Sequence, residues 1–180
     1  MPKLNIGEQM PDFKFNTAKK NDLYVHDILK GKTVFWVLRY IGCTVCRYDV
    51  HMIAQRYDAF KEKGAQVFVV MQSDREHVRK DLQETALPFE IICDEDQAIY
   101  HLLNIEPAVS MEALLGDGLE KLQAKGKAAA EAGFSHGDYE GNEQQLPAMF
   151  IVDENGKVIY AHYASAIMDM PGIDEVLALL

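Results

Sequence analysis

Apolar residues dominate the run Thr33-Val-Phe-Trp-Val-Leu-Arg-Tyr40, most of them β-branched or aromatic. Such a run reads as a strand buried on both faces. Directly after it the period changes. Cys46, Val50, Ile53, Ala54, Tyr57 and Phe60 recur at the spacing of one helix face, and Gly64 stops that helix. Ala65–Met71 is a second buried strand. Ser73 or Asp74 caps a helix over 74–85, residues 89–93 form a short third strand, and Asp94-Glu95-Asp96 opens a helix to about Leu103. Ahead of all these, 12–16 and 23–25 read as short strands joined by the turn Lys19-Lys20-Asn21-Asp22.

The end of the chain follows another pattern. Residues 148–153 and 157–162 flank Glu154-Asn155-Gly156, and Asn-Gly is a favoured pair for a tight hairpin turn. A short helix over 173–180 closes the chain. Strand, helix, strand, helix, strand implies a parallel sheet covered by helices, to which the hairpin adds antiparallel strands. The order is similar to the thioredoxin arrangement. The expectation is an α/β thioredoxin-like fold: a central mixed sheet flanked by helices, one domain over 1–180, with an insertion at about 104–146 before the hairpin. Within the insertion, 110 to about 132 is helix-forming but weakened by Gly116, Gly118 and Gly126, and 134–145 is polar loop. It is expected to fold over the sheet near the thiol-bearing end, where it narrows substrate access or makes an oligomer contact, a homodimer included.

Composition removes several classes of function. With 180 residues, 48% hydrophobic and 26% charged, the chain has the balance of a soluble globular protein. A net charge of −10 repels phosphate backbones, so nucleic acid and anionic membrane are set aside as partners. No apolar run has the length of a membrane span, and the first residues lack the apolar segment of a secretory signal. Three cysteines are too few, and odd in number, for a disulfide scaffold. A cytoplasmic protein with reactive thiols is the expectation.

The chemistry centres on Gly42-Cys43-Thr44-Val45-Cys46. The first N–H groups of a helix lack partners and carry the positive end of its dipole, which pushes a thiol there toward thiolate. A second cysteine three residues on lies one turn away, so the pair supplies an attacker and a resolver. Arg39 and Arg47 flank the pair, each able to stabilise a thiolate or to pair with an acid such as Asp49 or Glu62. Thr44, at the helix start, is grouped with them as a supporting residue. Pro147 sits where a strand begins, a position that needs no N–H donor; on the residues alone it is an ordinary trans proline, whereas a cis bond would set backbone groups beside the thiols. A closed zinc site needs four ligands and no second pair follows, so no metal is implied. No Gly-rich nucleotide loop is present, so no cofactor is implied. Cys93 and Trp36 read as core residues and His51 as a solvent-facing helix residue.

With these motifs in place the chain resembles the thioredoxin superfamily. Ile6-Gly-Glu-Gln-Met-Pro-Asp-Phe13, Arg39-Tyr-Ile-Gly-Cys-Thr-Val-Cys-Arg47, Leu146-Pro147 and Ile151-Val-Asp-Glu-Asn-Gly-Lys-Val-Ile-Tyr-Ala-His162 look most like the C-x-x-C branch of the alkyl hydroperoxide reductase/thiol-specific antioxidant family, the peroxiredoxins. The resemblance implies a thiol-dependent oxidoreductase that reduces peroxides or disulfides and is recharged by a thioredoxin- or glutathione-type electron donor. The peroxiredoxin pattern P-x-x-x-T/S-x-x-C puts its reactive cysteine at Cys46, with Cys43 in the Thr place and Arg39 in the Pro place. Pro147 stands where that family has an arginine. Thioredoxin logic instead makes Cys43 the attacker, as the more exposed residue at the helix start, and the decay of the dipole along the first turn favours it. A disulfide reductase without peroxidase activity, and a redox-sensing binding module, are the other readings.

Overall fold

The computed structural model describes residues 2–180. A five-stranded mixed sheet runs in the order β5-β4-β3-β6-β7, formed by β3 (Lys32–Val37), β4 (Ala65–Met71), β5 (Glu90–Cys93), β6 (Ala148–Val152) and β7 (Val158–Tyr163). β3, β4 and β5 are parallel, whereas β6 lies antiparallel to β3 and to β7. β3 is thus the central strand, and apart from its first residue it is wholly buried, as its apolar run requires.

Alternation along β3 divides the core into two layers. Val34 and Trp36 face a cluster with Val50, Ile53 and Phe60, while Phe35 and Val37 face one with Phe68, Val70, Phe150 and Tyr100. Fully burying side chains of this size is worth about 1.5–3 kcal/mol each, enough to fix which way every strand faces. The first layer is covered by α2 (Thr44–Gln55) and α3 (Tyr57–Glu62), the second by α5 (Ala98–Leu102) and the N-terminal segment. That segment carries β1 (Lys14–Phe15) and β2 (Leu23–Tyr24), which pair only with each other and are followed by α1 (Val25–Ile28).

Several elements differ from expectation. Val25 opens α1 instead of ending a strand. The helix expected over 74–85 stops at Leu82, ahead of Gln83 with a φ of +50°, and the helix expected over 173–180 stops at Ala178. The helix after β3 breaks at Arg56, whose N–H is shared between the Met52 and Ile53 carbonyls, and restarts as α3. The apolar spacing continues across the break, so the sequence pattern does not reveal it. Asp94, Glu95 and Asp96 lie outside α5, which begins only at Ala98. Gln97 adopts a left-handed conformation, and the Asp94 carboxylate accepts from the N–H groups of Ile99 and Tyr100. The insertion forms two helices, α6 (Met111–Leu115) and α7 (Leu119–Glu131), because Gly116 takes a positive φ of 52° between them. β1 is shorter than the 12–16 strand expected. α4 (Arg75–Leu82) and α8 (Ile173–Ala178) complete the molecule.

Tyr100 lies between the ends of two strands. Its hydroxyl is 2.6 Å from the Leu38 carbonyl and 3.3 Å from that of Val70. Among the described residues no helix is long and apolar enough to cross a membrane.

Candidate active site

The chain leaves β3 under tight control. Leu38 N–H donates to the Val70 carbonyl at 2.9 Å, Gln72 N–H to the Arg39 carbonyl at 2.8 Å, and Ile41 N–H to the Ser73 hydroxyl at 2.8 Å. Cys43 N–H turns back onto the Tyr40 carbonyl at 3.1 Å, and Arg47 N–H onto the Cys43 carbonyl at 2.8 Å opens α2. Cys43 is therefore the N-cap and Thr44 the first helical residue. This places the Cys43 sulfur among N–H groups that have no partner within the helix.

Cys43 is biased toward the thiolate. Its pKa is lowered to about 6, first by a hydrogen bond from the Cys46 thiol, then by the charge of Arg39 and the Cys46 N–H, all against the cost of burial. Arg39 Nη1 lies 3.4 Å from Cys43 Sγ. Cys46 moves the other way: burial and the neighbouring Cys43 charge push it well above the usual thiol value, and Asp49 adds to this. The pair thus divides into one charged sulfur and one proton-bearing sulfur.

Neither sulfur is open to solvent, since each cysteine is only 3% exposed. This corrects the expectation that Cys43 emerges at the helix start. The covering is the loop after α7, residues 133–145, which passes directly over the motif. Gly137 N–H donates to the Gly42 carbonyl at 2.8 Å, and a Cβ at Gly42 would stand 2.3 Å from the Asp138 carbonyl. His136 Nε2 lies 3.1 Å from the Tyr40 hydroxyl, and Tyr139 packs on His136 with ring centroids 4.4 Å apart. The far end of the roof is held by Gln72, itself 1% exposed. The Gln72 side chain accepts from Asn142 N–H at 2.8 Å and donates to the Asn142 carbonyl at 3.2 Å. Gly141, at a φ of +66°, lies so close to Gln72 that a Cβ there would meet it at 2.4 Å. Arg39 joins floor to roof, because its Nη2 donates to the Glu143 carbonyl.

A cavity of about 200 Å³ reaches Cys46. It is lined by Trp36, Arg39, Cys46, Asp49, Pro147 and Met170, among others. Lys125 of α7 pairs with Asp49 of α2 at 2.5 Å on its wall. Pro147 is there as a trans residue, with its carbonyl taken by Ala164 N–H at 3.1 Å. Arg47 points away from the sulfurs. It pairs with Asp81 at 2.6 Å rather than with Asp49 or Glu62, and lies over the Phe134 ring of the roof. His51 is half-buried and not solvent-facing, with its ring 5.2 Å from Phe134. Cys93 is half-buried on β5, its thiol pushed up to about 12 chiefly by burial.

Tyr40, Gln72 and the roof residues escape a reading of the sequence. Glycines in loops are common, so Gly42 and Gly137 do not by themselves mark the place where the two backbones meet.

Comparison with known proteins agrees with this arrangement. A Helicobacter pylori protein bearing a peroxiredoxin name (bcp) is 24% identical over 102 residues, covering 57% of this chain and 67% of its own. Thiol-disulfide oxidoreductase ResA of Bacillus cereus is 24% identical over 117 residues, covering 64% and 67%. Among solved structures, a yeast mitochondrial 1-Cys peroxiredoxin superposes with a TM-score of 0.70 at 17% identity, over 97% of this chain and 73% of that one. A peroxiredoxin-like protein from Aquifex aeolicus gives 0.66 at 16% identity, over 100% and 90%. These superpositions share the thioredoxin-like sheet and its flanking helices. The model of the AhpC/TSA family matches residues 6–161, from the opening segment through β7, and the chain belongs to that family.

Proposed function

We propose that this thiol-dependent oxidoreductase reduces small hydroperoxides, with Cys43 as attacking thiolate and Cys46 as resolving thiol, in one domain spanning 1–180. The observation that carries the reading is a sulfur 3.4 Å from the Arg39 guanidinium under a roof that leaves Cys43 3% exposed. A hydroperoxide is small enough to reach such a sulfur, whereas the disulfide of a folded protein is not.

The Cys43 thiolate attacks the terminal peroxide oxygen, breaking the O–O bond. The alkoxide or hydroxide that leaves takes up a proton as alcohol or water, and Cys43 becomes a sulfenic acid. Arg39 faces the site of charge change and stabilises the leaving oxygen. Once Cys43 is neutral, the charge that raised Cys46 is gone, so Cys46 ionises more readily. It then attacks the sulfenic sulfur, forming the Cys43–Cys46 disulfide and releasing water. A dithiol donor of the thioredoxin type, or two monothiols of the glutathione type acting in turn through a mixed disulfide, returns two electrons by exchange, which requires the roof to lift. A cysteine count too low and odd for a disulfide scaffold suits a reducing cytoplasm.

A second reading takes Cys46 as attacker. It draws support from the cavity, which is lined by Cys46 and not by Cys43. Single variants separate the two. With hydrogen peroxide and a sulfenic-acid-trapping reagent, Cys46→Ser is expected to be labelled on Cys43 and Cys43→Ser to stay unlabelled. The reverse pattern makes Cys46 the attacker, and no labelling in either variant removes the peroxide reading.

A further inference from the structure

Where the roof meets α4, three side chains lie outside the thiol chemistry. Asp74, His77 and Glu140 bring one ligand atom each within 4.8 Å of one another. Asp74 Oδ1 is 2.9 Å from His77 Nδ1, and Glu140 Oε2 is 3.4 Å from the same nitrogen. Ligands adjacent on a zinc-sized ion, with bonds of about 2.0–2.2 Å, stand roughly 3 Å apart, so these atoms already have that spacing. On the other side of the ring, His77 Nε2 faces Asp138 Oδ2 at 3.0 Å. A proton on Nε2 donated to Asp138 leaves the Nδ1 lone pair directed between two carboxylates. An outer carboxylate orients metal-bound imidazoles in this way.

A second observation concerns Glu140 itself. Its side chain is 10% exposed, and Oε2 accepts from Asp74 N–H at 3.0 Å. Oε1, on the same carboxylate, is buried with no hydrogen-bond partner. A buried anionic oxygen without a donor is costly, and a cation held by that carboxylate would satisfy it.

We propose that Asp74, His77 and Glu140 form a divalent-cation site of the zinc type, with Asp138 orienting the imidazole. One nitrogen among carboxylate oxygens favours a transition ion over magnesium or calcium. Two of these four residues belong to the roof and two to the start of α4, so the ion would fasten the roof over Cys43. The site stands independently of the peroxide reading.

The test uses the full chain as the Cys43→Ser/Cys46→Ser variant, so that the redox thiols cannot take up metal. Calorimetric titration with zinc chloride is expected to show one equivalent bound at micromolar affinity or tighter. Cobalt in its place is expected to give no sulfur-to-metal charge-transfer band, which excludes Cys93 as a ligand. Adding His77→Ala or Glu140→Gln should abolish binding, and Asp138→Asn should weaken it by about 10–100-fold. Glu140→Gln keeps an acceptor for Asp74 N–H, so it decides the matter even if His77→Ala fails to fold. Absence of zinc binding, a thiolate band with cobalt, or undiminished affinity in Glu140→Gln overturns the proposal.

Discussion

Cys43 stands on a turn fastened to β4 by backbone bonds and set over an apolar core, while the segment above it is fastened by a few polar contacts. Below, Leu38, Arg39 and Ile41 are tied to Val70, Gln72 and Ser73. Above, residues 133–145 are tied to Gly42, Tyr40, Gln72 and α4 through single hydrogen bonds and a histidine among carboxylates. Bonds of the first kind open only when the core opens, whereas contacts of the second kind open locally and at lower cost. The difference suits a site that must keep its nucleophile in place and yet admit a reductant.

Four changes would break or sharpen this contrast. Arg39→Met should have the largest effect, since Arg39 serves both floor and roof. Below its pKa a thiol loses tenfold in thiolate fraction for each unit the value rises. Alkylation of Cys43 by iodoacetamide at about pH 5, below the folded value, is therefore expected to slow by about tenfold for each unit the value rises, and an unchanged rate would mean that Cys46 alone polarises the sulfur. The same ionisation has a signature in stability. The folded Cys43 value of about 6 lies below that of an unfolded cysteine, roughly 8.5. Its stabilisation is complete above the unfolded value and is lost as pH falls through the folded one. The lead of the reduced wild type over Cys43→Ser in urea unfolding should narrow across that window.

Gly42→Ala comes next, and strikes the contact between the two regions. A methyl group 2.3 Å from the Asp138 carbonyl must push the roof away, at about 1–3 kcal/mol. Cys43 should then alkylate faster, and unchanged access would mean that the turn yields instead. Gln72→Leu removes the anchor at the roof's far end, with each lost hydrogen bond worth about 0.5–1.5 kcal/mol. Hydrogen exchange at the Asn142 amide should quicken while amides in β3 stay protected. Cys93→Ala should have the smallest effect. With its thiol held neutral at a pKa of about 12, turnover is expected to be unchanged, and a loss would bring a third sulfur into the cycle.

The floor was legible in the sequence because its signals are local. β4 occupies the residues that its apolar run marks, Glu154-Asn155-Gly156 makes the turn between β6 and β7, and the C-x-x-C spacing sets two sulfurs at one helix start. The roof was not legible, since residues 134–145 have no hydrophobic period and their anchors lie far away in the chain. Gln72, Tyr40 and His77 look like ordinary residues of a strand end, a turn and a helix until the fold brings the loop to them. The burial of Cys43 was missed for the same reason. A helix start is open unless something distant covers it.

The hydroxyl of Tyr100 gives the crevice a further property. β3 and β4 stay bonded here, but the pairing slips by one residue: Gln72 N–H takes the Arg39 carbonyl, and the phenol caps the Leu38 carbonyl left over. The step that carries the chain toward the two sulfurs is thereby pinned from the opposite core layer, by a residue outside the cavity lining.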